Sequence, residues 1–221
     1  MCIRDRYKDE DENIGSALLD RVVHTVGGLA MGTFAGNWDY YGELAYQWGK
    51  EGTASRRGYG GTADLGYTFK DCSWKPRVHL AGEYLSGDDP DTGTYEGWDP
   101  VLGRWPHWSE LFAYRMAFEE GKPGQYTNMQ RLAGGVTVHP TERMCVKLDY
   151  NYLRADEHNN GSAFPYDSGD TRGHLLTGNL TYQFNKALSG HLWTEYFHPE
   201  SFYDSDCDDA LFLRTQLILK F

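Results

Sequence analysis

The chain has 221 residues, a formal net charge of −11 and many aromatic side chains, with 16 Tyr, 10 Phe and 7 Trp. The acidic balance argues against nucleic acid as a partner, because proteins bind nucleic acid mainly through Lys and Arg. No run of 18 apolar residues is present, which excludes a transmembrane helix. A membrane-spanning β-sheet stays open, because its strands give a much weaker hydropathy signal.

The N-terminal stretch 1–18 differs from the rest of the chain. Its first residues, MCIRDRYKDEDENIG, contain no apolar run of the kind found in a signal peptide. The hexapeptide MCIRDR resembles a leader that recurs in translations of assembled environmental reads. We expect 1–18 to be a non-native leader and external loop, and 19–221 to be a β domain whose N-terminal part is missing. The four cysteines lack the spacing of a zinc site, so we expect neither metal nor cofactor.

Nine segments with alternating apolar and polar residues predict β-strands. The last shows the pattern most clearly, with Leu213, Leu217 and Leu219 on one face and Arg214 and Gln216 on the other. Strands in soluble domains usually have about five or six residues, whereas a tilted membrane strand needs about 9–11. The longer type fits the segments, which are 21–35, 38–49, 59–70, 77–85, 129–139, 144–153, 174–184, 188–198 and 211–221.

The connections between these segments alternate in length. Short turns are predicted near 36–37, 70–73, 140–142 and 185–187, and long polar connections at 50–58, 86–126, 156–172 and 199–209. Outer-membrane barrels have tight periplasmic turns and long external loops in this order. Aromatic residues near the strand ends, and Phe221 at the C-terminus, also suit a membrane barrel.

The predicted fold class is therefore all-β, a transmembrane antiparallel up-and-down β-barrel in the bacterial outer membrane, in contact with its lipid and lipopolysaccharide. The apolar face would meet lipid, and the polar face would line the lumen. A soluble β-sandwich is the alternative, because it shows the same alternation with its apolar face inward. Nine strands would leave an open edge with unpaired backbone groups in hydrocarbon, so we expect them to be part of a larger barrel.

Several stretches resemble the alginate-export family of outer-membrane barrels. They are YLSGDDPDTG (84–93), WDPVLGRWPHWSEL (98–111), YTNMQRLAGGVTVHP (126–140), KLDYNYLRAD (147–156) and LRTQLILKF (213–221). The resemblance implies a barrel of about 18 strands, of which this chain would be the C-terminal portion. It also implies passive export or diffusion of an anionic, alginate-like polysaccharide or a related solute, with periplasmic export proteins as potential partners.

Seven charged residues with inward phase are the candidate pore-lining or substrate-binding residues. Arg offers a planar pair of donors that matches the carboxylates of an anionic polymer. The same charges could instead pair across neighbouring strands in a ladder of ion pairs that stiffens the wall, and the sequence leaves both readings open. The seven are Arg77, Glu83, Arg131, Lys147, Asp149, Glu195 and Arg214.

The long connection 86–126 carries the candidate gate residues, which are Asp88, Asp89, Trp98, Arg104, Trp105 and Trp108. The tryptophans could stack on sugar rings, close the barrel mouth or pack the loop against itself. The aspartates lack the spacing of an EF-hand, so a solvated acidic turn is expected rather than a calcium site. No pairing of nucleophile and base is recognisable, so no catalytic residue is expected. The alternative functions are a general small-solute porin and a soluble carbohydrate-binding β-sandwich.

Overall fold

The protein is an antiparallel, up-and-down β-sheet in the computed structural model, which describes residues 2–14, 17–101, 106–119, 126–158 and 168–221. Ten strands lie side by side in chain order, and the short β6 pairs in parallel with β4. The elements are β1 (Cys2–Ile14), β2 (Ala17–Phe34), β3 (Trp38–Glu51), β4 (Ala54–Thr68), β5 (Arg77–Leu85), β6 (Thr94–Tyr95), α1 (Leu111–Glu119), β7 (Met129–Thr141), β8 (Met144–Arg154), β9 (Thr171–Gln183), β10 (Leu188–Pro199) and β11 (Ala210–Leu219).

The all-β, antiparallel fold class is confirmed, and each of the nine predicted segments corresponds to a strand, β2–β5 and β7–β11. Two stretches differ from prediction. The stretch 2–14, expected within a leader and loop, forms β1 and pairs with β2. The connection predicted at 50–58 is a tight turn, because the β3–β4 pairing continues to Glu51 and Ala54. The polar residues of 50–58 belong to the end of the β3–β4 hairpin, which extends beyond the apolar part of the sheet. Because the turn is short, the predicted alternation of short and long connections does not hold at this position.

The two faces of the sheet differ as the alternation predicts. One face, the apolar face, exposes large side chains such as Leu44, Leu80, Leu132, Leu148 and Leu213. The opposite face, the polar face, carries side chains that are buried despite being polar, among them Gln47, His79, Asp149, Asn151 and Glu195. A sheet with exposed leucines and buried charges has the reverse of the polarity that a soluble domain shows.

A hydrophobic cluster nevertheless occupies one end of the polar face. Its strand members share the inward phase and lie near the ends of β5 and β7–β10 that lead into the long connections. Side chains from the β5–β7 connection, α1 included, and from the β8–β9 and β10–β11 connections complete the cluster. The members are Leu85, Trp108, Phe112, Tyr126, Met129, Leu153, Ala155, Leu175, Phe197, Phe202 and Tyr203. The alternation predicts polar side chains on this face, and the cluster is a departure from that pattern at one end of it.

The helix α1 has nine residues, too few and too polar to cross a bilayer, and no other helix occurs in the described ranges.

Candidate functional site

The connection between β5 and β7 is described at 86–101, 106–119 and 126–128. These residues lie against the polar face, and we call them the covering segment. Trp108 and Ser109 are neighbours in sequence, yet they bond to Glu83 of β5 and Glu195 of β10. Those strands are four places apart in the sheet order, about 19 Å in a flat sheet. This is the arrangement expected of a curved sheet that wraps around the segment. The sequence predicted a gate in this connection; the structure places Trp108 and Ser109 across the strands of the polar face, and a gating role stays a prediction.

The N-terminus of α1 is held by one carboxylate of the sheet. The buried Glu195 side chain accepts hydrogen bonds from the Ser109 hydroxyl (2.5 Å) and from the backbone N–H groups of Glu110 (2.7 Å) and Leu111 (3.3 Å). Ser109 also acts as the N-cap, since its Oγ accepts the Phe112 N–H at 2.9 Å. A negative charge at the N-terminus stabilises the helix, because it interacts favourably with the positive end of the helix dipole. Beside it, Arg214 forms an ion pair with Glu110 at 2.8 Å.

The C-terminal end of α1 is held by a buried ion pair. Glu119 is bonded to Arg172 of β9 and accepts a hydrogen bond from the Tyr203 hydroxyl at 2.8 Å. Arg115, one turn earlier, lies 3.2 Å from Glu119 and stacks over the Tyr203 ring at 3.8 Å. Burial, followed by the Glu119 charge, raises the pKa of Tyr203 well above its usual value, so the hydroxyl stays protonated as a donor. Both ends of the helix are therefore fixed to the sheet.

Trp108 is buried where the covering segment crosses β5 and β7. Its indole N–H donates to the Tyr126 hydroxyl at 3.1 Å, and Tyr126 in turn donates to Glu83. Burial raises the pKa of Tyr126 well above its usual value. The Arg131 guanidinium lies over the Trp108 ring at 5.0 Å and donates to Asn151 at 2.8 Å. Trp108 thus packs the segment against the sheet, one of the roles that the sequence left open.

A second anchor lies at the β2–β4 side. Asp99 is bonded to Arg21 at 2.7 Å, and its backbone N–H donates to the Gln47 side chain at 2.8 Å. Arg56 donates to the Gly97 carbonyl at 2.7 Å and forms an ion pair with Glu51. Sequence reasoning missed this cluster; the inward phase of Gln47 and Arg56 was the only available signal.

The stretch YLSGD (84–88) joins several connections at the end of β5. The Ser86 carbonyl accepts the Trp98 and Asn128 N–H groups, at 2.9 and 3.2 Å, and the Thr127 hydroxyl at 3.0 Å. The Tyr84 hydroxyl and the Gly87 N–H both donate to Asp156, at 2.9 and 3.0 Å. A Cβ on Gly87 would lie 2.5 Å from Asn128 Oδ1, so glycine is required by close approach.

Asn128 completes this junction from the other side. It has a left-handed backbone, with φ of 51°, a conformation that Asn tolerates better than most residues. Its Oδ1 accepts the N–H groups of Asp156 and Glu157, at 2.7 and 2.8 Å, and its Nδ2 donates to the Glu157 carbonyl at 2.9 Å. The quoted stretches 84–93 and 126–140 therefore meet in space and join the β5–β7 connection to the β8–β9 connection.

Farther from the covering segment, the polar face carries a ladder of charges. Arg77 bonds to Asp39 at 2.5 Å and also to Asp64. His79 lies 3.8 Å from Asp64 and 3.5 Å from Asp149. Lys147 bonds to Asp149 at 2.9 Å and keeps 46% of its side chain exposed. The cross-strand pairing that was one of the two readings of these charges is present.

The seven candidate pore residues thus fall into two groups. Arg77, Lys147 and Asp149 belong to the ladder, whereas Glu83, Arg131, Glu195 and Arg214 contact the covering segment. Contact of either group with a substrate stays a prediction.

The candidate gate residues have local roles where they are described. Asp88 accepts the Glu96 N–H at 2.9 Å, and Asp89 accepts the Asp91 N–H at 2.9 Å. Trp98 packs over Gly60, where a Cβ would lie 2.8 Å from the indole. Arg104 and Trp105 lie outside the described residues. Across the residues that the structure describes, no cluster of three His, Cys, Asp or Glu side chains is arranged to hold a metal ion.

A family model described as "Alginate export" matches residues 5–166, well over half of the chain. No curated protein matches the chain.

Proposed function

The chain belongs to the alginate export family, and we propose that it forms the wall of an outer-membrane channel that passes an anionic, alginate-like polysaccharide or a related solute passively along its polar face. The proposal includes no enzymatic step and no cofactor. The proposed partners are the solute, the outer-membrane lipid with lipopolysaccharide, and periplasmic export proteins.

One observation carries the membrane setting, the aromatic pairs on the apolar face of the β3–β4 hairpin. Trp38 and Tyr67 pack at 5.0 Å near one end, and Tyr46 and Tyr59 at 5.1 Å near the other, where Trp48 stacks on Tyr46. Trp38 and Trp48 are ten residues apart, about 34 Å along a strand and about 26 Å along the membrane normal at a tilt of about 40°. Outer-membrane barrels have an apolar band of about 25 Å between two aromatic girdles.

The ladder of charges supports an anionic solute. Arg77, Lys147 and Arg214 lie in one cross-strand row, with Thr137, Asn179 and Trp193 between them. Arg77 is held by two aspartates, so its charge is largely compensated. In the described ranges, Lys147 is paired with Asp149 alone and is the most exposed of the three, which makes it the residue of this row best able to contact a passing carboxylate.

A small-solute porin of the same fold is the second candidate, favoured by the covering segment. This segment and the hydrophobic cluster fill part of the polar face, which narrows any passage for a polymer.

The test is single-channel recording of the protein in planar bilayers under a KCl gradient. We expect Lys147→Gln to lower anion selectivity, and Lys186→Gln, a matched change in the turn after β9, to leave it unaltered. Mannuronate oligomers should block the current more strongly than neutral oligosaccharides of equal length. Equal block by both would favour the small-solute porin. Migration as a plain soluble monomer without heat-modifiable mobility would contradict the membrane setting and favour the β-sandwich.

A further inference from the structure

A wide, open groove lies on the apolar face, on the side of the sheet opposite the polar face discussed above. It has a volume of about 1060 Å³ and crosses β2–β5, β7 and β8. The floor is formed where the outward positions carry Gly or Ala, namely Gly28, Gly61, Ala63 and Gly82. Leucine and tyrosine side chains form the walls; they are Leu44, Tyr46, Tyr59, Tyr84, Leu132 and Tyr152. In a membrane this groove faces hydrocarbon, and its chemistry suits an acyl chain.

Two cations stand at the end of the groove nearest the β3–β4 turn. Lys50 and Arg57 have the same outward phase as the groove and are both exposed. Arg57 pairs in register with Trp48, and the next outward pair is Tyr46 with Tyr59. Within the part of the chain that the structure describes, neither cation has a carboxylate within ion-pair distance, although the protein as a whole carries a net charge of −11. A positive rim above an aromatic pair suits an anionic headgroup above an acyl chain.

The spacing from the cations to the groove matches one leaflet. Gly61 and Ala63 lie four and six residues beyond Arg57, which is about 14–20 Å along the strand. At a strand tilt of about 40° this is about 10–16 Å along the membrane normal, which is close to the thickness of a half-bilayer, about 15 Å. A lipid whose phosphate lies at Arg57 would place its acyl chain in the groove.

Resting on the proposed function, which puts the long connections outside the cell, we propose that this groove binds an acyl chain of a phosphorylated glycolipid of the outer leaflet, with the phosphate held by Lys50 and Arg57. Arg154, at the opposite wall, is bonded to Asp170 and takes no part. Charge complementarity selects the headgroup, and the Gly and Ala floor admits the chain. The occupant is therefore an anionic lipid rather than free phosphate or a second copy of the protein.

The test is native mass spectrometry of the full chain released from phosphatidylcholine nanodiscs supplemented with bisphosphorylated lipid A. Each of Lys50→Gln and Arg57→Gln should weaken lipid A retention about fivefold, and the double variant roughly 25-fold. Gly82→Leu should fill the groove without a backbone clash, because its Cβ meets no atom closer than 3.7 Å, and should lower retention. Gly134→Leu, with a nearest contact of 3.5 Å outside the groove, and Lys186→Gln are the matched controls and should retain lipid A fully.

Two further arms separate the sources of binding. The unaltered protein should retain dephosphorylated lipid A only weakly, to the same extent as the double variant retains bisphosphorylated lipid A. Millimolar inorganic phosphate should not displace the bound lipid. Equal retention in the double variant, equal retention of the dephosphorylated lipid, or displacement by inorganic phosphate would overturn the site. Heat-modifiable migration is recorded in parallel. If the protein inserts but shows no selective retention, only the lipid site fails, whereas absence of insertion overturns the proposed function as well.

Discussion

Replacing Glu195 by Ala should release the N-terminus of α1 from the sheet. The carboxylate receives three donors, the Ser109 hydroxyl and the N–H groups of Glu110 and Leu111, and it is almost fully buried. Each lost hydrogen bond costs about 1 kcal/mol, or more where the donor stays dry, and the charge at the helix N-terminus adds about 0.5 kcal/mol. The docked state of this end of α1 should therefore lose about 3–4 kcal/mol. The far end would still be held by Arg172 through Glu119.

The assay is amide hydrogen exchange of the protein in detergent micelles, followed at Glu110 and Leu111. A loss of about 3 kcal/mol corresponds to exchange on the order of 100-fold faster, because every 1.4 kcal/mol is a factor of ten. Glu195→Gln should give a smaller change, since its amide oxygen still accepts hydrogen bonds but carries no charge. Glu43→Gln is the control, because Glu43 lies on the same face and accepts from Tyr41 at 2.6 Å. Unchanged protection at both amides in Glu195→Ala would refute the anchoring role.

Three other outcomes follow from the connections. Asn128→Ala removes three hydrogen bonds and places Ala at a positive φ, so the free energy of unfolding in detergent should fall by about 2–4 kcal/mol. An unaltered unfolding midpoint would contradict the role of Asn128 in the junction. Arg172→Met leaves Glu119 buried without its main partner and should lower the free energy of unfolding by about 3–5 kcal/mol. Adding Glu119→Gln in a double variant should restore part of this loss, because the buried charge is then removed. Additive losses of the two single changes would argue against the ion pair. Burial raises the pKa of Asp88, so its contribution to stability is fully present below its usual pKa of 3.8 and is lost as pH rises through the raised folded value. The thermal midpoint should fall over that window in the parent protein and fall less in Asp88→Asn; equal profiles would exclude this source.

The strands could be predicted because their signal is local. Alternation assigns each side chain to a face, and residues such as Leu148 and Leu213 are exposed on the apolar face as their phase requires. The hairpin tip at 50–58 was mistaken for a loop because the prediction relied on this local signal. Beyond the apolar band, outward-facing residues are polar as well, so the sequence no longer alternates in hydrophobicity. The register, not the composition, extends β3 and β4 to Glu51 and Ala54.

The helix and its anchors could not be predicted, because their causes are distant in sequence. The stretch LFAYRMAFE has no acidic residue in its first turn and no basic residue in its last, so the N-cap Ser109 is a weak sequence signal for the helix by itself. Its N-terminal charge comes instead from Glu195, 84–86 residues away. Likewise, the inward phase of Arg214 was evident, but its partner Glu110 lies in a connection with no period. Phase tells which face a side chain occupies and not what else lies on that face.

Charged residues on the polar face can affect transport either by contacting the solute or by holding the covering segment in place. A loss of conductance selectivity after mutation of Arg131 or Arg214 would not by itself indicate contact with the solute, because both hold the covering segment and its displacement would alter the passage. Among the described residues, Lys147 forms no hydrogen bond or ion pair with the covering segment, and its ion-pair partner, Asp149, lies on its own strand. A selectivity change in Lys147→Gln, with hydrogen exchange at Glu110 and Leu111 unaltered, would therefore report on the solute path alone. The two groups of charges that look equivalent in sequence become separable once the exchange measurement accompanies the conductance measurement.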